Sequence, residues 1–182
     1  MNAESFLNGE MENKTWNKIN ADLEKDSPVF TYNTEIEQDG YHVVLDIDID
    51  PGGGFESGFA TTSFTAVLNA EPHFRFAIHK EHFTDEIGKF FGMQDVLIGY
   101  KDFDNKLIIK TNDKTSVRKL FSSPQLRKII AALEDFTFGI HHHTNNGVKS
   151  PYLELMIEDG ITDAVRLRQI FNAFYVVLTL IE

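Results

Sequence analysis

Phe30-Thr31-Tyr32-Asn33-Thr34-Glu35-Ile36-Glu37-Gln38-Asp39-Gly40-Tyr41-His42-Val43-Val44-Leu45-Asp46-Ile47-Asp48-Ile49 sets apolar or β-prone side chains at every second position on both sides of an Asp-Gly pair. A period of two puts Phe30, Tyr32, Thr34 and Ile36 on one face of a strand, and Tyr41, Val43, Leu45, Ile47 and Ile49 on one face of the next. Asp-Gly supplies the two left-handed positions of a tight turn, so the stretch predicts a β-hairpin. An antiparallel sheet is the frame into which the rest of the chain must fit.

Working outward, Trp16, Ile19 and Leu23 recur at helical spacing and predict an amphipathic helix from about Glu10 to Lys25, closed by Ser27-Pro28. Downstream, Pro51-Gly52-Gly53-Gly54 interrupts regularity. A β-rich run from Phe59 to Leu68 and an alternating Phe74, Phe76, Ile78 face then complete four strands, expected as one antiparallel meander.

Glu81 to Phe91 predicts a short helix with Phe83, Ile87, Phe90 and Phe91 inward and Gly92 as its stop. Val96–Ile98 and Lys106–Lys110 bracket a turn over Asp102-Phe103-Asp104-Asn105. Asn112 or Asp113 is placed to cap a helical turn, and Ser123-Pro124 to start a helix through Leu133. Phe136–His142 and Val148–Ile157 flank Thr144-Asn145-Asn146-Gly147 as a second hairpin. Thr162 or Asp163 then opens a last helix to Ile181, whose final uncharged run falls short of the roughly 20 residues that span a bilayer and predicts a core-packed helix. The expected fold is a single α+β domain over residues 1–182: an N-terminal helical segment (1–27) and a main body (28–182), largely antiparallel sheet with N-terminal, mid-chain and C-terminal helices packed on it.

Residues 71–133 hold the densest run of structural punctuation, including Gly92, Gln94, Asp95, Phe103, Asp104, Asn112, Asp113, Val117, Arg118 and Leu120. In that order they resemble a domain of uncharacterised bacterial proteins with Gly-x-Gln-Asp, Phe-Asp, Asn-Asp and Val-Arg-x-Leu elements. The resemblance implies bacterial origin and fold, and no chemistry. Some proteins with this arrangement also carry membrane helices, and no membrane role is carried over to this chain.

Composition bounds the function. At 182 residues with 42% hydrophobic and 12% aromatic side chains, the chain has enough apolar material for one packed core. It has no cysteine, which removes disulfides, thiolate metal sites and cysteine nucleophiles together. Met1–Glu10 has neither the basic region nor the apolar core of a signal peptide, so a cytoplasmic home is the expectation. A net charge of −11 argues against nucleic-acid and anionic-membrane binding, both of which need clustered Lys and Arg. An acidic face that receives a basic partner protein fits that charge, beside the plainer role of keeping the protein dispersed.

Four groups of residues deserve weighing as chemistry. Asp46, Asp48 and Asp50 share a strand face, but same-face neighbours stand about 6.6 Å apart, too far for three carboxylates to share one ion readily. Gly52, Gly53, Gly54 and Gly58 lack the Lys-Ser/Thr that completes a phosphate loop. His141 and His143 share a face opposite His142, and His79, His82 and Glu86 would align if a helix began that early. Neither set has the His-Glu-x-x-His spacing, and no Gly-x-Ser-x-Gly elbow occurs. Arg118, Arg127, Arg166 and Arg168 are expected in ion pairs with carboxylates such as Asp95 or Asp104.

The favoured function is therefore a cytoplasmic bacterial interaction or ligand-binding module, without catalytic residue, metal or cofactor. An acidic immunity-type protein that neutralises a basic toxin is one alternative, and a metal-dependent enzyme using the histidines or the aspartate strand is another. The expected binding residues are Asp46, Asp48 and Phe55, an aromatic on a glycine-rich loop beside carboxylates.

Overall fold

A computed structural model describes residues 3–25, 30–53, 57–80, 93–145 and 148–182, with side chains for 13–25, 30–53, 57–80, 93–143 and 149–182. In chain order the elements are α1 (Ala3–Leu23), β1 (Thr31–Gln38), β2 (Tyr41–Asp50), β3 (Phe59–Val67), β4 (Phe76–His79), β5 (Gln94–Asp95), α2 (Lys101–Asp104), β6 (Ile108–Thr111), α3 (Lys114–Leu120), α4 (Pro124–Ile130), β7 (Phe136–Asn145), β8 (Val148–Ile157) and α5 (Ala164–Ile181). The eight strands form one sheet in the order β1-β2-β3-β8-β7-β4-β6-β5, and every neighbouring pair is antiparallel. The α+β class read from the sequence holds.

The Asp-Gly turn forms as its residues dictate: Asp39 and Gly40 both have positive φ, 51° and 82°. The resulting register pairs Ile36 with Val43, Thr34 with Leu45 and Tyr32 with Ile47. Continuing across the sheet, Leu45 faces Phe64, Phe64 faces Leu155, Leu155 faces Phe138 and Phe138 faces Ile78. This row and its neighbours make an inner face, against which α5 packs Phe171 and Phe174. Phe174 lies 6.0 Å from Phe64 and 5.9 Å from Phe138 between ring centroids. Trp16 of α1 then meets Phe171 edge-on at 5.4 Å.

The last helix is core-packed, as its pattern predicts. Its length and hydropathy would suit a bilayer, yet Leu167, Ile170, Phe171, Ala173, Phe174, Val177 and Leu178 are buried within the domain. Polar anchors set its position. The Thr62 hydroxyl, fully buried, donates to the Asp159 carbonyl at 2.6 Å and accepts from Ile161 N–H at 2.9 Å. Asp163 caps the first turn through Arg166 N–H, the Tyr175 hydroxyl donates to Asp39 at 2.8 Å, and Glu182 accepts from both nitrogens of Asn69.

Three expectations need correcting. The first four strands are not one meander: β4 lies beyond β8 and β7, because the β7–β8 hairpin inserts beside β3 and takes its free edge, down to a Leu68 N–H bond to the Pro151 carbonyl at 3.0 Å. Strand periodicity marks faces but not neighbours. The first helix begins at Ala3 rather than near Glu10, since Ala3–Gly9 contains one glycine and no proline to stop it. Residues 96–98 are not a strand: the strand is Gln94–Asp95, after which Val96 N–H still bonds the Ile109 carbonyl at 2.9 Å, and the expected turn at 102–105 is largely the short helix α2. The helix expected over 81–91 lies outside the described residues.

The resemblance-bearing segment is held by local polar chemistry. The Asp104 carboxylate accepts from Ile98 and Gly99 N–H at 2.9 and 2.8 Å, with Gly99 at φ 89°. Arg118 donates to the Ile98 carbonyl at 2.6 Å, and the Asn112 side chain accepts from Arg75 N–H at 2.7 Å. Asp113, rather than Asn112, caps α3 through Thr115 and Ser116 N–H. Its carboxyl is held below the ordinary value of 3.8, first by the Ser116 hydroxyl and then by Ser116 N–H.

A depressed folded-state value means that Asp113 contributes stability above its unfolded value of about 4 and loses it as pH falls further. Asp113→Asn is expected to melt below the native protein at about pH 7, the gap closing as pH is lowered towards about 3. A gap constant across that range would contradict this account of the cap.

Candidate functional site

The alternation that buries the inner face sends the other side chains to an outer face. On β4 and the first part of β7 that face is closed: Ala77, His79 and Thr137 are 1%, 2% and 2% exposed. Over β1, β2, β3 and β8 it is open, with Val44, Phe59 and Val67 exposed by 39%, 52% and 72%. The candidate site lies on this open half.

By register, Glu35, Glu37, Asp46, Asp48, Asp50 and Glu154 all belong to the outer face. No Lys or Arg occupies an outward position on these four strands. Thr61, Ser63 and Thr65 fill the centre, short polar residues that leave room above the sheet. At the β3–β8 end, Thr65, Val67, Ser150, Pro151, Tyr152 and Glu154, with His143, line an open cavity of about 320 Å³. Cross-strand pairing places Val67 opposite Tyr152 and Thr65 opposite Glu154.

Aromatic contacts hold the cavity wall. The His141 ring stacks on Tyr152 with centroids 5.5 Å apart and planes 23° apart, and the His143 ring meets Tyr152 edge-on at 6.0 Å. His141 is 6% exposed, and its Nε2 stands 3.8 Å from a Glu154 carboxylate oxygen. A phenol ring supported by imidazoles, beside a carboxylate and two aliphatic residues, is a surface that suits a cation on an apolar stem.

The expected site residues divide. Asp46 and Asp48 are outward and half-buried, with Asp46 accepting from the Asn33 amide at 3.0 Å. Asp50 turns its carboxylate back to Gly52 N–H at 2.8 Å, which starts the glycine loop. Phe55 lies outside the described residues, as do His82 and Glu86. His79 ends β4 with its Nδ1 2.9 Å from the Lys80 carbonyl oxygen, so the helical alignment proposed for it does not form. His141 and His143 do share the outer face, while His142 reaches Glu71 at 2.8 Å from the other side. Among the described residues no three His, Asp or Glu side chains converge as a metal-binding set.

The arginines are architectural, with partners other than those expected. Arg127, 7% exposed, pairs with Asp102 at 3.1 Å, donates to the Phe121 and Ser122 carbonyls at 2.9 Å each, and stands 3.9 Å over the Tyr100 ring. Asp95 pairs instead with Lys110 at 2.6 Å. Arg166 pairs with Asp159 at 2.9 Å, and Arg168 donates to Asn13 at 3.0 Å.

Tyr152, Glu154, Thr65 and Val67 escaped the sequence reading. Their alternation on two separate strands was visible, but only the β3–β8 pairing makes them one site. No family model, curated protein or solved structure matches this chain.

If the outer face is a working surface and not core, exchanging both Val44 and Val67 for Thr should leave stability within about 0.5 kcal/mol. Leu155→Ala, on the opposite face of the same sheet, should cost about 2–5 kcal/mol. Equal losses in denaturant melts would show that the outer face is covered.

Proposed function

We propose that this protein is a non-catalytic docking module whose open sheet face receives a cationic segment of a partner protein. The observation that carries this reading is the outer face of β1, β2, β3 and β8: six outward carboxylates, no outward Lys or Arg, and exposed Val44, Phe59 and Val67 among them. Carboxylates gathered on one face repel each other, and a basic partner relieves that repulsion while steering its own approach. Exposed apolar side chains in the same patch supply the area that such a contact would bury. The charge of −11 works in the same direction at longer range.

The metal-dependent alternative has no converging donor set among the described residues to carry it. Neutralisation of a basic toxin is one form that the docking function would take, with the toxin as the partner.

Selection of random dodecapeptides displayed on phage tests the proposal. The enriched pool should carry net positive charge, and its binding should weaken as salt is raised. The double variant Asp46→Lys, Asp48→Lys should bind the pool about tenfold more weakly with an unchanged melting temperature. Enrichment of neutral or acidic peptides, or equal binding by the double variant, would overturn it.

A further inference from the structure

The cavity between β3 and β8 differs from the rest of the acidic face, because it combines one carboxylate with an aromatic wall and an aliphatic rim. Elsewhere on that face Val44 stands opposite Glu35 and Phe59 opposite Asp50, an aliphatic or an aromatic group beside a carboxylate but not both. Here Glu154 lies beside Tyr152 on the same face of β8, two residues apart, and Val67 and Pro151 close the cavity. We infer that this cavity is an arginine-specific anchor, taking the side chain of one arginine from the cationic segment; the inference rests on the docking function proposed above.

The choice of arginine follows from the chemistry of the wall. A guanidinium is planar, stacks on an aromatic ring and meets a carboxylate with two parallel N–H donors. Tyr152 offers the ring and Glu154 the carboxylate. Lysine brings the same charge, but as a compact and strongly hydrated ammonium it gains less from a ring and cannot make the paired contact. The stem of three methylenes has Val67 and Pro151 to lie against.

The wall is also preorganised. His141, nearly buried and stacked on Tyr152, braces the ring from the β7 side, and His143 meets it edge-on, so the phenol need not be ordered on binding. Glu154 stands 3.8 Å from His141 Nε2 with a quarter of its side chain exposed, so its carboxylate is partly desolvated. A charge-assisted contact in such a place is stronger than one on the open surface. The protein itself holds an arginine in this way where Arg127 stacks over Tyr100 and pairs with Asp102.

The test uses the full chain and three capped, fluorescent hexapeptides that alternate valine with arginine, lysine or citrulline, with binding read by anisotropy. The arginine peptide is expected to bind about tenfold more tightly than the lysine peptide of equal charge, and the citrulline peptide most weakly. Glu154→Gln should lower the arginine-to-lysine ratio, leaving only what stacking on Tyr152 contributes. Asp48→Asn, which removes one carboxylate elsewhere on the face, should weaken both about equally and keep their ratio. Equal affinity of the arginine and lysine peptides for the native protein would overturn the anchor and leave the docking function standing. Binding of neither cationic peptide would overturn both. The arginine-to-lysine ratio on the native protein decides the matter even if Glu154→Gln fails to fold.

Discussion

The whole molecule depends on one asymmetry of its sheet: α5 lays Phe171 and Phe174 against the inner face, and the long strands alternate so that this face carries the buried apolar core. Ring contacts tie α5 to β3 and β7 at once, because Phe174 reaches both Phe64 and Phe138. A slip of one residue in any of these strands would bring its polar set inward and its apolar set into water. The inner core therefore fixes the registers, and through them every outward side chain. The acidic face is what remains when the other face is committed to burial.

The segment with the most recognisable sequence pattern turns out to serve the architecture. Between Gln94 and Ile130 the sheet ends and the chain must make several tight reversals with short helices, and each reversal is stitched by a polar side chain bound to backbone. Asp104 gathers two amides, Arg118 reaches back to the Ile98 carbonyl, Asn112 and Asp113 secure the approach to α3, and Arg127 joins α4 to Asp102 and to the carbonyls before it. Such residues are replaceable only by groups that make the same bonds. A segment can thus be rich in pattern because its own backbone needs those side chains.

Much of the fold was legible in residues because the signals were local. The Asp-Gly hairpin, the β7–β8 hairpin, the Ser123-Pro124 helix start and the apolar face of α5 each follow from neighbours within a dozen positions. The order of the strands was not legible, since the β3–β8 ladder joins residues 62–67 to 152–157, and nothing in either run specifies the other. The candidate site inherits the same limit. Asp46 and Asp48 could be placed on an outward face from one strand alone, whereas the cavity walled by Tyr152, Glu154, Thr65 and Val67 exists only once those two distant strands are side by side.

Backbone amide shifts followed by nuclear magnetic resonance during titration with a short arginine-containing basic peptide would test the central claim most directly. The outward face predicts perturbations concentrated at β2, β3 and β8, around Asp46, Thr65, Val67 and Glu154, with α1, α4 and α5 silent. Perturbations confined to the helical layer, or absent at peptide concentrations well above those of the protein, would contradict it.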